Sequence, residues 1–304
     1  MSPVGHGQEP QNVLADKRAR LREILSGLPG ALVAFSGGVD STFLLHEARQ
    51  VLGERVLAVT ASSPIHPREE VERARWLARE MGVAHLVLPT SELDLPGFSS
   101  NPPDRCYLCK RALLGLLWEV ARSRGMGCVL EGSNASDLGE YRPGRRAVTE
   151  MGARSPLLEA GLTKGEIREL SRQAGLPTWD LPPMACLATR FPYGTPITPA
   201  ALEAVAGAER ALRGMGFRLV RVRYHGAVAR IEVPAEEVQG LVARRDEVVR
   251  AVKAAGFPYV AVDLEGYRTG SMDEVLAVGS RVDREGSCGS SAGEGVAGGW
   301  TGRH

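Results

Sequence analysis

Six consecutive residues, Ser36-Gly37-Gly38-Val39-Asp40-Ser41, have the make-up of an anion cradle. They follow the apolar run Ala31-Leu32-Val33-Ala34-Phe35 and open the helically periodic stretch from Thr42 to Leu52, so a buried strand turns directly into a helix. Two glycines let the backbone take conformations closed to other residues and let an anion approach, while the N–H groups of the first helical turn point at it. Ser36 and Ser41 add hydroxyl donors, and Asp40 is the kind of oxygen ligand that magnesium takes, directly or through water. No Lys precedes Ser41 and the GxGxxG spacing is absent, which excludes a Walker A loop and a dinucleotide fingerprint. Thr60 and Ser62, where the second apolar run turns polar, are expected at the adenine edge. Asn134 and Asp137, just after a later run, are expected in the phosphate or metal shell, although Asn and Asp after a strand are also ordinary turn formers.

Cysteine placement is the second chemical signal. Arg105-Cys106-Tyr107-Leu108-Cys109-Lys110 puts two thiols one short turn apart at the start of a helix, and Cys186 stands in Ala185-Cys186-Leu187-Ala188-Thr189-Arg190. Helix N-termini and neighbouring Arg or Lys lower thiol pKa values, so these three are expected as thiolates. A lone CxxC can ligate zinc, form a redox pair or pack as two small apolar residues; zinc wants four ligands, and no convincing fourth is present. Cys128, inside an apolar run, reads as core packing, and Cys288, in a Gly/Ser-rich tail, as incidental. Iron–sulfur clusters are normally held by four thiolates. Three would leave one iron open to a substrate or an extra sulfide, which suggests sulfur delivery.

These residues need a scaffold. Apolar runs at 31–35, 56–61, 84–88 and 128–132 alternate with helical patterns at 14–27, 41–52, 68–81 and 110–124, the signature of an α/β, doubly wound parallel sheet whose ligands sit at the carboxyl ends of the strands. Thr163-Lys-Gly-Glu is a capping box, and Gly175-Leu176-Pro177 ends the helix it starts. The expected organisation is a flexible N-terminus at 1–13, a nucleotide domain at 14–180, a Pro-rich joint at 181–197 carrying Cys186, a smaller α+β substrate or oligomerisation domain at 198–279 and a disordered Gly/Ser-rich tail at 280–304. The smaller domain should hold a helix near 198–214, strands at 217–224 and 228–233, a helix at 235–255 and a strand at 258–264.

With 304 residues, 43% hydrophobic and 24% charged, the chain can bury a sizeable core. Its 37 basic and 36 acidic residues leave a formal charge of +1, which argues against a nucleic-acid or anionic membrane partner. The N-terminus lacks a signal-peptide core and no run has the length of a membrane span, so a cytoplasmic location is expected.

The phosphate loop resembles the PP-loop of ATP pyrophosphatases, which cleave ATP to AMP and pyrophosphate. Together with Glu131-Gly132-Ser133-Asn134, Asp137-Leu138-Gly139, Arg142-Pro143-Gly144, Arg154-Ser155-Pro156-Leu157, Ala185 to Ala188, Arg190 to Gly194 and Asp263 to Ser271, it resembles the LarE family, from about residue 14 to 277. These are ATP-dependent sulfur transferases of nickel-pincer nucleotide biosynthesis. The resemblance implies ATP and magnesium as cofactors and adenylation of a carboxylate of pyridinium-3,5-biscarboxylic acid mononucleotide. Displacement of AMP by sulfur then leaves a thiocarboxylate. In the family's simplest members the cysteine matching Cys186 gives up its own sulfur; Cys106 and Cys109 look instead like the three-cysteine subgroup, in which a [4Fe-4S] cluster on Cys106, Cys109 and Cys186 carries an extra sulfide. Sulfide or a sulfur-donor protein and a homo-oligomeric state follow from the same resemblance. A cluster-dependent tRNA thiolase, a nucleotide-sensing module without catalysis and an amide-forming PP-loop enzyme are the competing readings. The near-neutral charge and the lack of a glutaminase motif weigh against the first and the last.

The substrate's phosphate needs its own partners. In Val220-Arg221-Val222-Arg223-Tyr224-His225 the strand period puts Arg221, Arg223 and His225 on one face, and the next strand turns Arg230 and Glu232 the same way. A hairpin at His225-Gly226-Ala227 would bring Arg223 and Arg230 together on one surface, where they would repel unless an anion or carboxylate lay between them. Arg223 and Arg230 are therefore expected to hold the phosphate and Asp263 to position one of them. The alternative is that Asp263 and Glu265 satisfy these arginines internally.

Overall fold

Every residue of Ala31-Leu32-Val33 is fully buried, and the alternation of their side chains explains why. Ala31 and Val33 point into a core with Leu21, Leu25, Phe43 and Leu44, whereas Leu32 points the other way, against Leu114, Leu117 and Val129. A strand buried on both faces belongs in a parallel sheet covered by helices. The computed structural model, which describes residues 9–139 and 143–276, has that sheet. Residues 1–8, Arg142 and the tail from 280, with Cys288, lie outside the described residues.

Strands β1 (Ala31–Ala34), β2 (Val56–Ser62), β3 (Ala84–Pro89) and β4 (Val129–Leu130) pair in parallel in the order β3-β2-β1-β4. Helix α1 (Glu9–Ser26) precedes them, and α2 (Val39–Leu52), α3 (Arg68–Glu80) and α4 (Arg105–Ser123) make the crossovers. The chain steps outward from β1 to β3, then returns to the far side of β1 as β4. That reversal puts the ligand crevice at the carboxyl ends of β1 and β4. Strand β4 is shorter than its apolar run: Val129 and Leu130 pair with β1, and Glu131 beyond them donates its N–H to Arg154 O.

Three helices follow, α5 (Gly144–Glu150), α6 (Pro156–Glu159) and α7 (Lys164–Gln173). The capping box is formed as expected: Thr163 Oγ1 accepts from Glu166 N–H, and the Glu166 carboxylate accepts from Thr163 N–H. After an irregular joint with one short turn, Leu187–Arg190, come α8 (Pro199–Gly214) and a second sheet of β5 (Arg221–His225), β6 (Val228–Glu232) and β7 (Tyr259–Val262). In it β5 and β6 are antiparallel and β6 and β7 parallel. The single helix expected at 235–255 is instead a short turn, Ala235–Glu237, followed by α9 (Val238–Ala243) and α10 (Arg245–Ala254). Arg244 breaks it, leaving helical geometry at φ −101° and sending its guanidinium to Met215 O.

Contacts gather the chain up to Tyr267 into one unit and the residues from Arg268 into another. Inside the first unit the two sheets keep separate apolar cores; that of the second sheet also takes in Ile65, Phe98, Leu187 and Phe191. Among the described residues no helix is long and apolar enough to cross a membrane.

Candidate active site

The loop between β1 and α2 is held in shape by its own serines. Ser36 Oγ and Ser41 Oγ are 3.0 Å apart, Ser36 N–H and Gly38 N–H reach the Ser41 and Ser36 hydroxyls at 3.3 and 3.4 Å, and Ser41 Oγ donates to Gly38 O. Gly37 has a φ of +68°, and a Cβ there would stand 3.2 Å from Ala74 Cα of α3. Across the crevice Gly132, after β4, comes so close that a Cβ would stand 3.3 Å from the backbone nitrogen of Ser41. The two strand ends are thus pressed together around the first turn of α2.

A cavity of about 400 Å³ opens over this junction. Of the residues expected to bind ATP, Ser36, Gly38, Asp40, Ser41, Thr60 and Asp137 line it; Gly37, Ser62 and Asn134 do not. Gly37 supplies the turn behind the wall. Ser62 accepts Thr90 N–H through its carbonyl, in the ladder with β3. Asn134 is buried, and with Asp137 it forms a local turn: Asp137 Oδ2 accepts Asn134 N–H at 3.0 Å, and Asn134 Oδ1 accepts Ser136 N–H at 2.9 Å. Thr60 Oγ1 donates to Phe35 O at 2.6 Å and lies 2.8 Å from His85 Nε2, so its hydroxyl ties three strands as well as facing the cavity.

The cavity also takes in residues that sequence reasoning did not single out: Lys110, Glu131, Lys164, Arg168 and Glu70. Glu131 is buried and accepts from Lys110 Nζ at 3.0 Å, from Ser133 N–H and Oγ at 3.1 and 3.0 Å, and from Ser155 Oγ. Burial pushes its carboxyl up, but Lys110 and the serine hydroxyls outweigh that and hold it below the ordinary range. The fixed carboxylate in turn steadies the Lys110 ammonium at the cavity. The available signal was the place of Lys110 directly after Cys109 at a helix start.

Cys106 and Cys109 lie in the first turns of α4, and Cys186 is the residue before the Leu187–Arg190 turn. Burial drives the Cys109 thiol far above its ordinary range, and the nearby Cys186, Glu92 and Cys106 add to it against a smaller pull from Lys110. The expected thiolate is therefore corrected for Cys109, where loss of solvent outweighs the helix start and the lysine. Cys109 and Cys186 pack on the same apolar core, and Cys106 stands one turn before Cys109 on α4. Among the described residues no group of three or more His, Cys, Asp or Glu is set at metal-ligand spacing. Cys128 is buried in the first core, as its run implied.

The hairpin puts Arg223 directly opposite Arg230. The carboxylate between them is Glu232, fully buried, which pairs with Arg223 at 2.6 Å and Arg230 at 3.1 Å. Asp263 pairs with Arg230 at 3.2 Å. The expected common surface does not exist for Arg223: it is 5% exposed and donates to Thr189 O, because the joint folds over this face of the sheet. Arg230 remains about a third exposed along its side chain, at 32%.

No protein-family model matches the chain. An uncharacterized protein of Synechocystis sp. is 43% identical over 266 residues, 87% of this chain and 99% of its own. The pyridinium-3,5-bisthiocarboxylic acid mononucleotide synthase of Lactiplantibacillus plantarum is 39% identical over 264 residues, 86% of this chain and 96% of its own. A glutamine-hydrolyzing GMP synthase of Aeropyrum pernix is 28% identical over 213 residues, 62% of this chain and 41% of its own. With a glycine-rich loop at the sheet's switch point and 39% identity to the mononucleotide synthase over 86% of this chain, the chain belongs to the LarE family of PP-loop enzymes.

Proposed function

We propose that the chain is an ATP-dependent sulfurtransferase that converts carboxylates of pyridinium-3,5-biscarboxylic acid mononucleotide into thiocarboxylates. One observation carries the reading: the two elements that bear the cysteines also wall the phosphate cavity. On α4, Lys110 lines the cavity immediately after Cys109; on the joint, Met184 lines it two residues before Cys186. The segments that bear the cysteines thereby border the pocket in which a nucleotide's phosphates would lie, while no cysteine is itself among its lining residues.

A carboxylate is a poor electrophile with a poor leaving group, and adenylation remedies both. In the proposed sequence the carboxylate oxygen attacks the α-phosphorus of ATP and pyrophosphate leaves. A sulfur nucleophile then adds to the acyl carbon and AMP departs with the bonding pair. The N–H groups at the start of α2, the hydroxyls of Ser36 and Ser41 and the cations Lys110, Lys164 and Arg168 suit the phosphates. Asp40 and Asp137 are the oxygen donors on the cavity wall that fit magnesium, which would neutralise phosphate charge. Arg230, partly exposed and oriented by Asp263, is the proposed partner of the substrate's own phosphate.

Thiolates are the ligands an iron–sulfur cluster takes, and Cys109 and Cys186 pack on one apolar core with Cys106 one turn before Cys109 on α4, which supports the cluster reading. Cys106, Cys109 and Cys186 would hold the cluster, which would supply an exchangeable sulfide.

The test supplies ATP and the mononucleotide to anaerobically purified protein. Substrate-dependent AMP and pyrophosphate with thiocarboxylate product are expected, together with iron and sulfide near four each. Formation of ADP and phosphate would refute the adenylation. Iron-free protein that turns over once, with about 34 Da lost from Cys186, would replace the cluster by a sacrificial cysteine.

A further inference from the structure

Between Leu181 and Cys186 the joint has no regular structure, and Pro182 and Pro183 remove two backbone donors. Its carbonyls are nonetheless held by arginines. Arg168 of α7 donates to Trp179 O and Leu181 O at 2.7 and 2.5 Å, and Arg221 of β5 donates to Pro183 O. Arg190 Nη1 donates to Ala185 O at 2.9 Å and Cys186 O at 3.1 Å, and Arg223 to Thr189 O at 3.0 Å. Of these, Arg190 is the one that grips the cysteine itself.

Arg190 is the bulkiest fully buried side chain of the described residues, 1% exposed. Its Nε and Nη2 pair with Glu209 Oε1 and Oε2 at 2.7 and 3.0 Å, and Glu209 also accepts Val222 N–H and an Arg213 guanidinium N–H. A buried ion pair of this kind is a weak source of stability, since apolar residues of similar volume often serve as well or better. What a guanidinium adds is direction. Its planar fork fixes one edge on the carboxylate, and Nη1 then points at the two carbonyls.

We propose that Arg190, held by Glu209, is a positioning residue for Cys186, fixing the backbone on both sides of the cysteine and with it the direction of the sulfur. The inference rests on the sulfur-transfer reading for its catalytic consequence but not for its first measurement. That measurement is the peptide-resolved rate at which iodoacetamide alkylates Cys186 in protein freed of iron, for wild type, for the apolar double variant Arg190→Met/Glu209→Leu, and for Arg190→Lys, which keeps the charge but loses the fork. Both variants are expected to change that rate by about tenfold or more, with ATP affinity kept within about threefold. Thiocarboxylate formation should fall about a hundredfold while substrate-dependent pyrophosphate release falls far less, the split expected when a reacting group is misplaced by about an ångström. A double variant with wild-type alkylation and product formation would overturn the proposal and leave the pair as packing. Should the double variant not fold, Arg190→Lys decides by the same criteria. Wild-type protein that never forms thiocarboxylate would refute the functional reading instead, and the alkylation rates would still judge the positioning.

Discussion

Gly37→Ala separates strain from space in the phosphate loop. At φ +68° an L-residue costs roughly 1–2 kcal/mol in the left-handed region. Its Cβ would also meet Ala74 Cα, Cβ and N of α3 at 3.2–3.3 Å, and these are backbone atoms or fixed directly to them, so the loop or the helix must move. Overpacking of that kind adds about 1–3 kcal/mol, for a total on the order of 2–5 kcal/mol. If the loop yields, the hydroxyl and N–H donors shift and ATP binding weakens by about 30- to 4,000-fold. If α3 yields, the cost appears in the melting temperature, at roughly 2–4 °C per kcal/mol for a chain of this size. Gly161→Ala is the control: its φ is +71° but nothing lies within 4 Å of the new Cβ, so it carries only the conformational part. Calorimetric ATP titration and thermal melting of both variants make the test. A Gly37→Ala protein that binds ATP within twofold of wild type and melts with Gly161→Ala would refute the claim that α3 and the loop are in forced contact.

Lys110→Met leaves Glu131 buried without its ammonium; since Lys110 is about a third exposed, the loss is expected near the low end of the range for a broken buried pair, about 3 kcal/mol. Lys110 holds the Glu131 carboxyl low, so the pair's stability is present above the ordinary carboxylate range and lost as pH falls through the lowered value; acid unfolding should begin at a higher pH in the variant. Glu70 is the opposite case. Burial raises its carboxyl against Arg73, Arg190, Arg213 and Arg221, the fold favours its protonated form, and stability declines as pH rises from its ordinary value through the raised one. Glu70→Gln should therefore melt higher than wild type at neutral and alkaline pH and equally at acid pH, and a variant no more stable at any pH would refute this. Cys109→Ala should abolish iron binding and multiple turnover, whereas Cys128→Ala should leave both nearly intact, read by iron content and product per chain. Arg230→Ala should raise the substrate's KM by roughly ten- to a hundredfold, the loss of about 1.5–3 kcal/mol for a charged hydrogen bond, with ATP affinity unchanged; an unchanged KM would assign the arginine to the fold.

The strand, loop and helix around Ser36 to Ser41 were legible because their determinants are local: an apolar run, two glycines and a helical period. The capping box at Thr163 was legible for the same reason. Long-range closure was not. Period two correctly grouped Arg221, Arg223, Arg230 and Glu232 on one face of the second sheet, but periodicity says which residues share a face and not whether something covers it. The joint does, and so Arg223 and Glu232 are buried where an exposed phosphate site was expected. Lys110 and Glu131 meet through the fold, with no signal in either neighbourhood that the other is its partner. Cys109 was misjudged because a helix start and a lysine are visible in sequence while burial, which wins, is not.

The reversal that sets β4 beside β1 also dictates when the site can exist. About a hundred residues separate these paired strands, a long-range closure whose loop entropy precedes any reward in contacts. Until β4 docks, the first turn of α2 lacks Gly132, Glu131 and Asp137 on its far side, and a chain cut short before that strand has half a cradle. A nucleotide held there as proposed is expected to favour the closed arrangement and draw the folding equilibrium toward it, by about 2.7 kcal/mol at a ligand concentration a hundred times its dissociation constant. On the proposed function ATP is then expected to act as a folding ligand as well as a reactant, with added protection of the β1 and β4 amides from hydrogen exchange as the readout.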